Sequence, residues 1–370
     1  MNAGMDRSVD TTEFSNAEIV GMETALAAAR QGVRGSNPLV GAVILDADGT
    51  VLAIGRHRGA GTPHAEADAI NALLQGKRRD LSAATIIVTL EPCNHQGLTG
   101  PCTQAILDAG IGNLIYAVAD PHVPAAGGAA RLRREGINVR SGLMGAGAAD
   151  LNRQWFAAVR EGRPFVTARL AQTVDSRIAA ADGSSQWITS VQSRQDSHNI
   201  RARADAIVVG TGTVIADNPR LTARAADGTE ADHQPLRVVM GLREVAGDAA
   251  VRHQGGPGFV QLHTHDPAVV LAELHQRGVG HLMIEGGSKI SAAFLAAGLV
   301  DELIVYLAPT LLGSGTPALN DLGIGTLAQA QQWEWDATTT GPVERLGPDL
   351  KLTLMPARTP DTEQLPAEGH

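Results

Sequence analysis

The chain has 370 residues, 44% of them hydrophobic and only 3% aromatic, which is enough for two cores and suits mixed α/β layers better than an aromatic-rich sandwich. Its formal charge of -9, with basic residues scattered singly or in short clusters such as Lys77-Arg78-Arg79 and 131–134, argues against a nucleic-acid partner. No stretch supplies the ~18 uninterrupted apolar residues of a membrane span, and residues 1–13 lack the basic-then-apolar order of a secretory leader, so a cytoplasmic protein is expected.

In chain order, Ser15 with Glu18 forms a capping box ahead of the apolar spacing Ile19, Met22, Ala25 and Ala28, predicting an opening helix that stops at Gly32. Residues 39–45 and 51–57 read as a hairpin around a turn at 46–49. Helices over about 64–74, 101–109 and 128–135 then alternate with strands over 85–90, 113–119 and 138–141, which predicts a largely parallel sheet covered on both faces. Glycine and alanine dominate 142–149, and Glu161-Gly162-Arg163-Pro164 is a further break, so the domain boundary is expected near 150–163. A second α/β series begins at Phe165, with strands over 206–209, 236–240, 259–263, 281–284, 302–307 and 350–354 and helices over 267–276 and 289–296. The tail beyond Pro356 reads as flexible.

The first chemical constellation lies in the first series. Pro63-His64-Ala65-Glu66 places an imidazole and a carboxylate two apart at a helix start; Glu91-Pro92-Cys93 follows a buried-type strand, and Cys102, the only other cysteine, comes nine residues on. His64, Cys93 and Cys102 would give zinc three ligands and leave a fourth position for water, as a catalytic site requires. Zinc lowers the pKa of such a water toward neutrality, and Glu66, too close to His64 to be an obvious fourth ligand, would carry protons from it to a leaving amine. His-x-Glu followed by Pro-Cys and a second Cys is the pattern of zinc deaminases, with the usual Cys-x-x-Cys spacing widened here. Singly, each residue reads as an ordinary histidine or small hydrophobe; their conjunction specifies the metal.

The run from Glu91 to Cys102 (EPCNHQGLTGPC) resembles the long-spaced zinc segment of the bifunctional riboflavin-pathway deaminase-reductases, and 36–41 (SNPLVG) and 55–57 (GRH) are similar to that family's other deaminase stretches. The resemblance implies that Asn37 and His57 hold the pyrimidine, with His95 beside the metal loop. Ser36 and Gly100 stand where the family usually has proline, and Asp120-Pro121-His122 replaces a usual Asp-Pro-Asn.

In the second half a Rossmann fingerprint is absent: Gly210-Thr211-Gly212 runs on into Val214 and Ile215, and Gly145-Ala146-Gly147 ends at Asp150, so a nucleotide needs another scaffold. The run 283–288 (MIEGGS) ends a strand and opens a helix; it reads equally as a phosphate site and as a tight turn with Ser288 as N-cap. Arg163 to Val166, Asp175, 183–190 (GSSQWITS), 198–201, 205–207, Gly210, Thr213, 217–219 and 221–224 resemble the family's reductase domain, whose fold is similar to dihydrofolate reductase. The likeness thus runs from Asn16 to about Met355. It implies NADPH contacts at Ala171, Trp187, Thr213, Asp217, Gly287, Ser288, Lys289, Ile290, Ser291, Ala292 and Ala293, and substrate contacts at Ser185, Arg201, Leu221, Arg224 and Glu285. Two arginines suit a ribose phosphate. Arg169 stands where the family usually has Lys, Thr173 where it has Ser, and Ser176 where it has Gly.

The expected fold is therefore α/β: a cytidine-deaminase-like three-layer α/β/α domain over 15–158 and a dihydrofolate-reductase-like domain over 159–357, between flexible ends at 1–14 and 358–370. The expected function is zinc-dependent hydrolytic deamination of diaminohydroxyphosphoribosylaminopyrimidine, with one Zn2+ per chain, then NADPH-dependent reduction of the ribosyl group of 5-amino-6-(5-phosphoribosylamino)uracil. Partners are small phosphoribosyl pyrimidines, and the resemblance implies a homodimer through the reductase domain. The alternative is another nucleobase or nucleoside zinc deaminase whose second half only binds nucleotide.

Overall fold

The computed structural model describes residues 14–32, 37–58, 62–75, 79–95, 100–121, 127–253, 255–336 and 341–357. The expected flexible ends apart from Phe14, together with Ser36, Lys77, Arg78, His122 and residues 96–99 of the zinc segment, lie outside them. The chain divides into two compact units: one reaches Pro164 and includes Gly278–His281, and the other comprises Phe165–Arg277 and the residues from Leu282 on.

The first unit comprises α1 (Asn16–Arg30), β1 (Gly41–Leu45), β2 (Val51–Arg56), α2 (Ala65–Leu74), β3 (Thr85–Leu90), α3 (Cys102–Ala109), β4 (Asn113–Val118), α4 (Gly128–Arg134), β5 (Asn138–Ser141), α5 (Gly145–Leu151) and α6 (Arg153–Glu161). The capping box closes as expected: Ser15 Oγ accepts from Glu18 N at 3.3 Å and Glu18 Oε2 from Ser15 N at 2.8 Å. Five strands form one sheet in the order β2-β1-β3-β4-β5, parallel from β3 to β5 and antiparallel around β1. Strand alternation sorts the core into two layers. Ala42, Ile44, Ile86, Val88 and Leu114 pack against α2, α3 and α4, whereas Val43, Leu45, Ile87 and Ile115 pack against α1 and α5. A Cβ on Gly55 would stand 2.2 Å from Ala65 O and 2.4 Å from Ala69 N, so only glycine lets α2 lie this close on β2.

The stretch read as a break holds two helices, α5 and α6, and α6 crosses position 158; the units divide after Pro164. Gly142 and Gly162 do take positive φ, as breaks require, but the alanines between Gly145 and Leu151 favour helix, and Ala148 and Leu151 are buried.

The second unit comprises β6 (Phe165–Thr173), β7 (Arg177–Ala179), α7 (Val191–Arg201), β8 (Ala206–Gly210), α8 (Thr211–Asp217), β9 (Leu236–Met240), β10 (Phe259–Leu262), α9 (Pro267–Gln276), β11 (His281–Ile284), α10 (Ser288–Ala296), β12 (Glu302–Ala308), β13 (Thr316–Pro317), β14 (Trp333–Trp335), β15 (Val343–Leu346) and β16 (Asp349–Pro356). Its main sheet runs β10-β9-β8-β11-β6-β12-β16-β14, with β15 paired to β16. β10, β9, β8 and β11 are parallel neighbours, as are β6 and β12, while β16 is antiparallel to β12. Helix α10 starts at Ser288 with Gly287 as its N-cap, so the reading of Ser288 as N-cap is corrected by one residue. Gly287 takes the cap because its φ of +41° disfavours a side chain.

Ser176 follows the β6 strand with a φ of +58°, in an exposed turn closed by its N–H to Thr173 O at 3.0 Å. A side chain is disfavoured there, and the family usually places glycine. Ser176→Gly is expected to stabilise the second unit by about 0.5–1 kcal/mol, read as a higher unfolding midpoint in thermal or urea melts.

Candidate functional site

Three elements of the first unit converge. His64 is the N-cap of α2, and its ring makes no cap hydrogen bond, so it remains available to a ligand. Cys93 follows the end of β3, and Cys102 is the first residue of α3. His64 Nδ1 lies 3.2 Å from Cys102 Sγ and 3.5 Å from Cys93 Sγ, and all three donor atoms fall within 4.8 Å of one another. Bonds of about 2.0–2.3 Å in a tetrahedron place neighbouring donors about 3.3–3.8 Å apart, so the set fits zinc. Glu91 braces the loop: its carboxylate accepts from Ala129 N at 2.9 Å and Asp120 N at 3.3 Å. Thr103 N donates to Cys93 O at 3.2 Å and Cys102 N to Cys93 Sγ at 3.4 Å.

The electrostatics suit a dication at this site. The Cys102 hydrogen bond and the His64 ring hold the Cys93 thiol far below its usual value, at about 4, while the negative Cys93 pushes Cys102 up. Two neighbouring thiolates oppose one another, and a divalent ion between them would remove that conflict. The hydrogen bond to Cys93 also raises His64 above an ordinary histidine. Glu66 is 3% exposed, in the first turn of the same helix, and burial lifts its carboxyl to about 7.

His57 lies beside this cluster, its ring edge-on to His64 with centroids 5.3 Å apart. Burial keeps it neutral, and its Nδ1 lies 3.3 Å from Pro63 O, so that nitrogen carries the proton. Nε2 is then an acceptor, buried and without a hydrogen-bond partner. That suits a substrate N–H. His95 is half-buried, with an unbonded Nδ1. Asn37 is half-buried in the bend leading to β1, outside the three-donor cluster.

The second unit gathers a different set. Glu285, at the end of β11, accepts from Arg201 Nε at 2.8 Å and pairs with it again through Nη2. Arg201 Nη1 donates to Thr222 O at 3.0 Å, beside the buried Leu221, and Ser197 Oγ lies 3.4 Å from Glu285. Burial opposes the charge on Glu285, but Arg201, with Arg169, outweighs it and holds the carboxyl below its usual range. Burial, with the positive Arg201 and Arg224, drops His198 to about 4, so it is neutral at this site. His198, inside the 198–201 stretch, and Arg169, which stands where the family usually has Lys, carry no assigned contact from the sequence; their place in the family resemblance is the available signal.

Next to it, the turns after β8 and β11 touch. A Cβ on Gly286 would stand 2.6 Å from Val209 Cα, and one on Gly287 would stand 3.3 Å from Thr213 Oγ1. Bare backbone at the carboxyl ends of adjacent parallel strands is a cradle for a phosphate or ring, which fits a dinucleotide. Within the expected cofactor segment, Ser288, Ser291 and Ala292 face inward and are buried, leaving Gly287, Lys289, Ile290 and Ala293 more accessible. Trp187 is exposed, with the Arg194 guanidinium 4.4 Å from its ring centre. Ala171 is half-buried on β6, Ser185 is half-buried, and Thr213 and Asp217 lie along α8, while Arg224 is exposed.

Comparison with known proteins gives the same division. The cytidine and deoxycytidylate deaminase zinc-binding region matches residues 16–118, and the RibD C-terminal domain matches residues 164–343. The riboflavin biosynthesis protein RibD of Mycobacterium tuberculosis is 42% identical over 357 residues, spanning 96% of this chain and 99% of that protein. Among solved structures, RibD of Acinetobacter baumannii superposes with a TM-score of 0.83 at 33% identity, over 92% of this chain and 99% of that one. A diaminohydroxyphosphoribosylaminopyrimidine deaminase/5-amino-6-(5-phosphoribosylamino)uracil reductase from Thermotoga maritima gives a TM-score of 0.79 at 30% identity over the same shares.

Proposed function

The chain belongs to the RibD family of riboflavin-biosynthesis proteins, and from that premise we propose how its own residues divide two reactions. It is a bifunctional enzyme: a zinc-dependent pyrimidine deaminase of cytidine-deaminase-like fold joined to an NADPH-dependent reductase of dihydrofolate-reductase-like fold. It deaminates diaminohydroxyphosphoribosylaminopyrimidine and then reduces the ribosyl group of 5-amino-6-(5-phosphoribosylamino)uracil. We assign the deaminase to the unit that reaches Pro164 and the reductase to the unit that begins at Phe165.

The observation that carries the deaminase assignment is the meeting of His64 Nδ1 with both sulfurs beside a buried Glu66. His64, Cys93 and Cys102 would hold the zinc, which supplies an electrophilic centre and an acidified water. Glu66 takes a proton from the attacking water and passes it to the departing ring amine. His57 Nε2 accepts from the pyrimidine, with Asn37 and His95 as further contacts. Burial excludes bulk water and so strengthens each of these bonds.

In the reductase, NADPH supplies the hydride. Gly287, Lys289, Ile290, Ala293, Thr213, Asp217, Trp187 and Ala171 border it, with Ser288, Ser291 and Ala292 shaping the helix beneath. Arg201 and Arg224 orient the phosphoribosyl end together with Ser185, Leu221 and Glu285. Arg201 is fixed on both sides, by Glu285 and by Thr222 O, so its remaining N–H donors stay in place for the substrate.

The test follows ammonia release and NADPH oxidation separately in the intact chain. Wild-type protein is expected to give both in sequence. Glu285→Gln is expected to cut reduction of the deaminated intermediate by roughly 10–100-fold, the scale of a lost charged hydrogen bond, and to leave ammonia release alone. Undiminished reduction would remove the assignment of that end of the site.

No helix among the described residues is long and apolar enough to cross a membrane, and the substrates are small molecules. A cytoplasmic homodimer joined through the reductase completes the reading; its support is family resemblance, and light scattering of the purified protein tests it.

A further inference from the structure

Strands β6, β12 and β16 lie side by side. Their registers pair Ile304 with Arg169 and Thr353, and Tyr306 with Ala171 and Lys351, so all six residues project from one face of the sheet. Helix α7 covers that face and contributes Asp196. The Tyr306 hydroxyl donates to Asp196 Oδ2 at 2.5 Å, and Lys351 Nζ lies 3.0 Å from the same oxygen. Tyr306 is fully buried, and the Lys351 side chain is only 12% exposed. The Arg169 guanidinium stands 5.2 Å from the Tyr306 ring centre. Arg169 makes no hydrogen bond among the described residues, its Nε is buried without a partner, and its charge acts on Glu285.

This arrangement is expensive as mere core. A lysine, an aspartate and a tyrosine hydroxyl taken from water are commonly matched or bettered by apolar side chains of similar volume. What the trio achieves is fixity: the hydroxyl bond pins the Tyr306 ring, and a pinned ring offers one face to a cation. A free arginine side chain carries rotamer entropy, and a site whose cation is already held does not lose that entropy on binding substrate.

We propose that Tyr306, Asp196 and Lys351 are positioning residues for the reductase, clamping Arg169 beside Glu285 so that its unused N–H donors meet the phosphoribosyl pyrimidine. The proposal rests on the reading of Glu285 and Arg201 as the substrate end. Arg169 itself touches substrate; the other three act through it. Its guanidinium stays charged at working pH, so its contribution is a fixed set of hydrogen bonds and no proton.

The experiment uses full-length protein with the deaminated intermediate and NADPH. Variants are Tyr306→Phe, Asp196→Asn, Arg169→Met, Arg169→Lys and the Arg169→Met/Tyr306→Phe double. Tyr306→Phe keeps the ring and its volume, so it should fold. Tyr306→Phe and Asp196→Asn are each expected to lower kcat/KM for the intermediate roughly tenfold, with the KM for NADPH within about twofold of wild type and ammonia release unchanged. Arg169→Met should lose more, Arg169→Lys should recover part of it, and the double variant should be no worse than Arg169→Met alone. Additive losses in the double variant, a matching rise in the KM for NADPH, or wild-type reduction by Tyr306→Phe would overturn the proposal. The two readings separate through Glu285→Gln. If that variant is impaired and Tyr306→Phe is not, the clamp alone is wrong; if Glu285→Gln is unimpaired, the site reading falls and takes the clamp with it.

Discussion

Cys93→Ala protein is expected to hold far less than one zinc per chain and to release ammonia at least about three orders of magnitude more slowly than the parent, while its reductase still oxidises NADPH with the deaminated intermediate. The size follows from the donor count. Three residues would hold the ion, and removing one would leave a two-ligand site built from His64 and Cys102, which matches no common catalytic zinc geometry. The water then reverts toward its bulk acidity, and the attacking species all but disappears at neutral pH. Metal analysis and ammonia assays on the same preparations check both halves. Stoichiometric zinc in the variant would remove Cys93 from the ligand set; full deamination without zinc would remove the metal from the reaction.

Glu66→Gln separates proton transfer from metal binding. The substitution keeps shape and hydrogen-bonding reach in a position that is 3% exposed, and it replaces an acid with an amide that cannot shuttle protons. Zinc content is expected to remain at one per chain, while deamination falls by about 10²–10⁴-fold, the usual range for a lost general acid–base. Because one group serves both the water and the leaving amine, the upper end of that range is expected. A loss smaller than tenfold would mean that another residue moves the proton.

Much of this was legible from local patterns, and the exceptions share a cause. The capping box at Ser15 and Glu18 and the apolar runs of β3, β4, β8, β9 and β11 announce themselves because burial alternates or saturates within a few residues. Helix α7 does not: VQSRQDSHNIR has no apolar stripe, and the helix is held by Ser190 Oγ accepting from Ser193 N, with the Asp349 carboxylate accepting from Ser190 N at 2.7 Å. Those partners stand 159 residues apart, beyond the reach of periodicity. The zinc donors could be found because each sits in a short motif. Asp196 and Tyr306 meet across 110 residues with no motif around either, so only the packing of α7 on the sheet reveals the pair.

The brace around Glu91 has a consequence for the life of the protein in a cell. Its carboxylate accepts from Ala129 N and Asp120 N, and Thr103 N donates to Cys93 O, so the chain beside both cysteines is held by bonds that use none of the three ligand atoms. Small zinc modules unravel when chelated, because their ligands are also their architecture. Here starvation for metal would silence one chemistry and spare the scaffold, so a demetallated pool would persist, still competent for the second reaction, and would regain the first on resupply without fresh synthesis.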